Sequence, residues 1–380
     1  MNKDLTVGSP SKVLWQFCLP MFGSILFQQL YNIADSLVAG KLIGENALAA
    51  VGNSYEITLI FLAFSFGCNI GGSVIVSRYF GAKDYNTMKT AVSTALIGTV
   101  VLCGALMAVG LLGCRSLLVL IRTPAELMAD SAEYLDIYTL GLPFLFLYNV
   151  ATGIFTALGD SRTPFLFLAG SSTANIAVDV LFVAAFDMGV AGVALATLIS
   201  RIISAIIIIG LMFRTESAIR IKTCKDFLPS PSIIKKILSI GLPSGLENGM
   251  FQIGKLSVSS LVSTFGTAAI AANSVANSVT MFANIPGNAI GMAMITVIGQ
   301  CIGAKKPDEA KRYGKKLMFI AYAGILATNI VMTIVAVPVV GLFHLSPEAT
   351  KTGLSLIHCF SIVAIFIWPL SFTMPNALRA

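Results

Sequence analysis

The stretch Val76-Ser77-Arg78-Tyr79-Phe80-Gly81-Ala82-Lys83 returns 222 residues later as Ile298-Gly299-Gln300-Cys301-Ile302-Gly303-Ala304-Lys305. The pair Leu19-Pro20 likewise returns as Leu242-Pro243, at an offset of 223 residues. Self-similarity over so long a period indicates that one set of structural elements occurs twice in the chain. We therefore expect two similar lobes, each beginning with a proline-bearing helix.

The residues around both copies are strongly apolar. The chain has 380 residues, of which 56% are hydrophobic and 11% are charged. A helix needs about 20 apolar residues to cross a bilayer core of about 30 Å. Long stretches of this chain carry no charge: 57–77, 90–114, 137–159, 256–304, 317–347 and 352–378. The composition predicts an all-α polytopic membrane protein.

Turn signals and charges divide the chain into ten predicted membrane helices: 12–39, 54–78, 92–118, 132–158, 163–186, 190–213, 234–263, 270–299, 317–343 and 352–378. Six spans separate the repeats, and an even number gives both copies the same orientation. We expect two parallel-repeat lobes of six helices around a central cavity. The predicted domains are a first lobe at 1–213, a cytoplasmic linker at 214–233 and a second lobe at 234–380. The second lobe is expected to be incomplete, with about ten of twelve helices present, because the chain ends where the repeat would next supply Gly-Asp.

Lys and Arg residues fall mainly at the amino terminus and in every second predicted loop. The opposite loops hold only Lys41, Arg115, Arg122 and Lys351. Basic residues in short loops stay on the cytoplasmic side, so we expect a multi-pass protein of the cell membrane with a cytoplasmic amino terminus. Contact of these loops with anionic membrane lipid explains the net charge of +7 without a nucleic-acid partner. A monomer is expected.

The sequence offers no assembled enzyme site. It has two histidines, and its seven cysteines are scattered without the spacing of metal ligands or a disulfide framework. It contains neither a Gly-rich phosphate loop nor a nucleophile elbow. We expect neither enzyme activity nor a cofactor, and active transport would depend on an ion gradient or a partner.

The first span carries the run Gln28-Gln29-Leu30-Tyr31-Asn32-Ile33-Ala34-Asp35 near its end. A carboxylate at membrane depth costs at least a few kcal/mol and by default marks a working site. Asn175 and Asp179 are four residues apart and share one helix face, and Asp35, Asp179 and Thr197 have similar predicted depths. Asp35, Asn175 and Asp179 would form an oxygen-rich site suited to Na+, or would hold a proton if the two acids lie close together.

Arg201 supplies the alternative for the first lobe, since it follows Thr197 by four residues and would form a buried ion pair with one of the acids. In the second lobe, Glu247 and Lys255 lie two turns apart on one predicted helix. They form either a substrate-contacting or proton-linked pair in the cavity, or a static pair. Pro20 and Pro243 each free a backbone carbonyl inside a helix and are candidate hinges, with static kinks as the alternative.

Several of these motifs resemble those of the multidrug and toxic compound extrusion family of transporters. They are the run at 28–35, Arg78-Tyr79-Phe80-Gly81-Ala82, Gly159-Asp160-Ser161-Arg162-Thr163-Pro164 and Asn175-Ile176-Ala177-Val178-Asp179. The resemblance implies a twelve-helix, two-lobed antiporter that expels cationic, amphipathic small molecules in exchange for Na+ or H+. It also implies a cation site at positions matched here by Asp35, Asn149, Asn175, Asp179 and Thr197. The candidate substrate or cavity residues are Gln28, Tyr31, Glu247, Gln252 and Lys255, and Gln252 stands where some family members carry an acid.

Two other function classes compete with the antiporter. A flippase for a lipid-linked pyrophosphate precursor would be expected to line its cavity with several Arg or Lys residues, whereas the predicted spans contain only Arg201 and Lys255. A receptor or non-transporting scaffold would have no reason to bury acids. Both comparisons favour the ion-coupled antiporter.

Overall fold

The structure is a computed structural model that describes residues 4–5, 10–38, 43, 45–121, 123–186, 188–214, 229–341, 343 and 346–380. Within these ranges, the side chains of residues 10–12, 32–38, 45–49, 53, 55–56, 213–214, 263 and 267 are outside the description. Residues 215–228, most of the predicted linker, are likewise outside it.

Every element in the described residues is helical. The first lobe consists of α1 (Pro10–Val38), α2 (Glu45–Gly81), α3 (Tyr85–Leu120), α4 (Met128–Leu140), α5 (Leu142–Ala157), α6 (Arg162–Val180) with a π-helical segment (Leu181–Ala185), and α7 (Gly189–Arg214). The second lobe consists of α8 (Pro231–Ser263), α9 (Thr267–Ala283), α10 (Ile285–Gly303), α11 (Pro307–Gly341), α12 (Pro347–Trp368), a π-helical segment (Pro369–Thr373) and α13 (Met374–Arg379). The all-α membrane fold expected from the composition is confirmed.

The helices differ from the expected ten spans at three places. Among the described residues, eight helices are long and apolar enough to cross a membrane, or nine if α4 and α5, which meet at 49°, form one broken span. Predicted helix 4 is bent at Gly141, and predicted helix 8 is broken at Asn284. A proline follows each break: Pro143 is in the first turn of α5 and Pro286 is in the first turn of α10. Both helices are interrupted because proline lacks the backbone N–H that would continue the preceding helix. Of the ten predicted spans, the one that is absent from the count of nine is 234–263. It corresponds to α8, whose apolar residues are interrupted by Glu247 and Lys255.

The sequence repeat is visible as two matching turns. Residues 82, 83 and 84 donate backbone hydrogen bonds to the carbonyls of 78, 80 and 79, and residues 304, 305 and 306 donate to those of 300, 302 and 301. Lys83 and Lys305 take up the same left-handed conformation, with φ of 57° and 58°. The two copies therefore end their helices with one backbone geometry.

The two turns, 82–84 and 304–306, lie against each other and join the lobes. We call the end of the molecule at which these two turns lie the basic end. A Cβ atom at Gly81 would overlap the carbonyl oxygen of Gln300, and one at Gly303 would overlap the carbonyl oxygen of Arg78. These four residues are related in pairs by the 222-residue offset. Only glycine permits so close an approach of two helix ends.

Hydrogen bonds across the lobes reinforce this contact. The Arg78 guanidinium donates from Nε to the carbonyl of Ala380 (2.7 Å) and from Nη2 to that of Arg379 (3.3 Å). The fully buried Gln300 donates from Nε2 to the carbonyl of Ala157 (2.9 Å) and accepts from the Leu5 backbone N–H at Oε1 (3.0 Å). Side chains of each lobe thus donate to backbone carbonyls of the other, and Gln300 supplies a partner for a carbonyl at the end of α5 that would otherwise lack one.

The two repeated prolines occupy comparable places in the fold. Pro20 lies inside α1 and Pro243 lies inside α8. The hydroxyl of Ser24 donates to the Pro20 carbonyl (3.0 Å). The hinge role of both prolines stays a prediction.

Candidate functional site

Residues predicted for the first lobe meet around one small cavity, which we call the first-lobe pocket. It has a volume of about 190 Å³ and lies among α1, α4, α5, α6 and α7. Five of the predicted residues line it: Gln28, Tyr31, Asn149, Asn175 and Thr197. The structure therefore brings together residues that are up to 169 positions apart in the chain.

The structure describes the side chain of only one of the two predicted acids, Asp179 and not Asp35. Asp179 is fully buried on α6, one turn beyond Asn175. The helix changes to a π-helical segment at Leu181, directly after this turn; such segments occur frequently at functional sites. Asp35 belongs to α1, but its side chain lies outside the part of the chain that the structure describes.

Two polar side chains at this pocket lack partners. Asn175 is 2% exposed and Thr197 is 6% exposed. Neither the amide group of Asn175 nor the hydroxyl of Thr197 hydrogen-bonds to a described residue. Buried polar groups in proteins are normally paired, and unpaired ones cost about 1–3 kcal/mol. Amide and hydroxyl oxygens beside a buried carboxylate fit a hard cation such as Na+.

Asn149 has a different environment, because its groups are engaged by α2. Its Nδ2 donates to the hydroxyl of Ser65 (2.9 Å), and its backbone carbonyl accepts from Nδ2 of Asn69 (2.7 Å). These bonds fix the orientation of the Asn149 amide at the edge of the pocket.

Arg201, predicted as an alternative ion-pair partner for one of the acids, also lines the first-lobe pocket. It makes no ion pair with an acid in the described residues. Its guanidinium carbon instead lies 4.1 Å from the ring centre of Tyr138, an attractive cation–π contact. The alternative that Arg201 pairs with one of the two acids stays a prediction, because the side chain of Asp35 lies outside the described residues.

A larger cavity of about 500 Å³ lies between the lobes, and we call it the central cavity. Gln28 lines both this cavity and the first-lobe pocket, so the two spaces are neighbours across one side chain. The wall that the second lobe contributes to the central cavity includes Glu247, Phe251, Met292, Phe372, Asn376 and Arg379.

Glu247 is paired differently from the sequence expectation. Its carboxylate forms an ion pair with Arg379 of α13, and not with Lys255. Lys255 is exposed, and neither it nor Gln252 is among the residues lining the central cavity. The pairing with Lys255 was wrong because eight residues on a helix span about 12 Å, whereas the Arg379 side chain of α13 reaches Glu247 directly.

Sequence reasoning missed Arg379 as a site residue. It lies just beyond the charge-free stretch 352–378, and that position, at the end of an apolar span, was the available signal. At the 223-residue offset it corresponds to Thr156, which also lines the central cavity.

Comparisons with known proteins agree with this architecture. The MatE family model matches residues 20–181 and 243–380. A probable multidrug resistance protein of Bacillus subtilis, YoeA, is 28% identical over 78% of this chain, and the chain spans 65% of its length. A MOP superfamily transporter structure from Pyrococcus furiosus superposes with a TM-score of 0.92 at 26% identity, covering 99% of this chain and 84% of that one. An outward-facing multidrug resistance MATE family transporter also gives 0.92 at 26% identity, with 98% and 83% coverage.

Proposed function

Because the chain belongs to the MatE family of transporters, we propose that it is a secondary active antiporter that exports cationic amphipathic compounds in exchange for Na+ or H+. It would act as a monomer in the cell membrane, with its amino terminus and basic end facing the cytoplasm. The positive-inside distribution of Lys and Arg supports this orientation.

One observation carries the proposal: Asn175, one helical turn before the buried Asp179, and Thr197 place unpaired oxygens at a pocket that shares Gln28 with the central cavity. Asp35 is the proposed second acid of this cation site. A cation bound there changes the electric field in the central cavity, since unit charges interact by several kcal/mol at short range when the effective dielectric is near 20. The coupling ion and a cationic substrate would therefore weaken each other's binding, as linkage requires.

Alternating access would require the lobes to separate at the basic end. The contacts that must open are the glycine contact between Gly81 and Gly303 and the hydrogen bonds made by Arg78 and Gln300. Bending of α1 at Pro20 would transmit occupancy of the cation site to the cavity.

A flippase for a pyrophosphate-linked lipid is less well supported. Among the described residues that line the central cavity, Arg379 is the one cation, and it is paired with Glu247. A pyrophosphate group would require several unpaired Arg or Lys residues.

The test is efflux of a cationic dye by the purified protein in liposomes, with Na+ and pH gradients imposed separately. Asp179→Asn keeps the shape of the side chain and removes its charge, so we expect ion-driven efflux to be lost while the protein stays folded and inserted. Asp84→Asn is the matched control, because Asp84 caps α3 by accepting from the Thr87 N–H (3.1 Å) and Asn caps equally well. Wild-type dependence on both gradients in Asp179→Asn would contradict the proposed site.

A further inference from the structure

The central cavity contains one acid and one base, and they neutralise each other. Glu247 and Arg379 are the charged residues among the described residues that line it, and they form an ion pair. The Glu247 side chain is 56% exposed, whereas that of Arg379 is 17% exposed. The carboxylate is therefore the more accessible member of the pair.

The two partners depend on the ion pair unequally. Arg379 has a second acceptor, since its Nη1 donates to Oδ1 of Asn376 (2.8 Å). Among the described residues, the Glu247 side chain hydrogen-bonds to Arg379 alone. Breaking the pair would leave Arg379 with a partner and would leave the exposed Glu247 carboxylate free to bind another cation. The carboxylate is therefore the member of the pair that can exchange its present partner for another cation.

Aromatic rings line the central cavity together with this carboxylate. Phe251 lies one turn beyond Glu247 on α8, and its ring centre is 5.1 Å from that of Phe372 in an edge-to-face arrangement. Phe372 is stacked on Trp368 at 4.1 Å. Aromatic faces attract cations, so a flat organic cation entering here would meet both the carboxylate and the rings.

We propose that Arg379 is a built-in competitor that occupies the Glu247 carboxylate until a substrate arrives, and that the cationic group of the substrate binds by displacing it. This inference rests on the proposed function, because its ligand is the exported cationic amphipath. Displacement is required because a second cation at the same carboxylate would be repelled by the guanidinium. The exchange keeps the charge of the Glu247 carboxylate compensated in both states and explains why a neutral compound of the same shape would bind poorly.

The test is equilibrium binding of ethidium, a flat monocation, to the purified protein in detergent, followed by fluorescence anisotropy. Arg379→Gln removes the competitor and keeps a donor for Asn376. If the pair is formed about nine-tenths of the time, ethidium affinity should rise about tenfold. Glu247→Gln should lower it at least about tenfold, and the double variant should match Glu247→Gln, because Arg379 competes only through the carboxylate.

Three controls make the result specific. Arg379→Lys keeps the charge and should restore nearly wild-type affinity, whereas a purely structural Arg379 would make Lys and Gln behave alike. Lys351→Gln removes a positive charge near the start of α12, away from the residues that line the central cavity, and should change nothing. An uncharged phenanthridine of similar size should bind all variants with equal, low affinity.

Unchanged or weaker ethidium binding by a folded Arg379→Gln protein would overturn the competitor. An increase that persists in the double variant would overturn it as well. Failure of the proposed function is distinguishable, because it appears as absent ion-driven efflux in wild-type liposomes, whatever the binding measurements give.

Discussion

The two lobes match in their backbone at the basic end and differ in the side chains that face the cavities. The turns 82–84 and 304–306 make equivalent hydrogen bonds and contain equivalent left-handed lysines. In contrast, Glu247 and Arg379 correspond at the 223-residue offset to Ser24 and Thr156, neither of which is charged. The repeated turns thus fix the backbone contact between the lobes, while Glu247 and Arg379, which differ from their counterparts, carry the proposed substrate site.

The largest expected effect comes from filling the glycine contact. In Gly81→Ala or Gly303→Ala, the new methyl group would overlap a backbone carbonyl of the opposite lobe, which cannot move as a flexible side chain does. We expect each variant to lose about 3 kcal/mol of stability, the upper part of the range for overpacking. Thermal unfolding of the purified protein in detergent measures the loss.

Gly104→Ala on α3 is the matched control. A Cβ atom there has no neighbour within 4 Å, and alanine favours helix over glycine by about 1 kcal/mol, so this variant should be neutral or slightly stabilised. If Gly81→Ala and Gly303→Ala differ widely from each other, the symmetric contact between the lobes is incorrect.

The same contrast explains what the sequence predicts well. The repeat and the charge-free stretches can be recognised in the sequence without knowing which segments touch, so the two-lobed architecture and the membrane helices follow from them directly. Asn175 and Asp179 are one turn apart, and counting residues places Thr197 at their depth; the structure places Asn175 and Thr197 around one pocket.

What the sequence did not predict depends on contacts between distant segments. Glu247 and Arg379 are 132 residues apart, and a pattern on one helix favours a partner on that helix, such as Lys255.

The breaks at Gly141 and Asn284 were missed because proline in the first turn of a helix is common and membrane helices tolerate it inside a span. A local pattern does not distinguish a new helix from a kinked one.

An intermediate effect is expected where the repeat carries different side chains at equivalent positions. Gln300→Met removes the partners of the buried Leu5 N–H and Ala157 carbonyl, and we expect a loss of about 2 kcal/mol. Arg78→Met should cost less, because Arg78 is only partly buried and water can replace its bonds to the carbonyls of Arg379 and Ala380. Denaturant unfolding of both variants measures the difference, and a larger loss for Arg78→Met would contradict this ranking.

The smallest effect tests whether the two turns are truly equivalent. Lys83 and Lys305 hold φ angles of 57° and 58°, a conformation that costs residues with a Cβ about 1–2 kcal/mol and costs glycine almost nothing. Part of that gain is lost because glycine is more flexible in the unfolded chain. We therefore expect Lys83→Gly and Lys305→Gly each to stabilise the protein by about 0.5–1 kcal/mol, and by equal amounts.

Lys311→Gly provides the opposite sign for comparison. Lys311 is exposed inside α11, where glycine should destabilise the helix by about 1 kcal/mol relative to a good helix former. All three variants remove one positive charge near the basic end, so a shared effect of charge would shift their unfolding temperatures in the same direction. Stabilisation at positions 83 and 305 together with destabilisation at 311 can come only from backbone conformation, whereas stabilisation at one turn alone would show that the two turns are not equivalent in the folded protein.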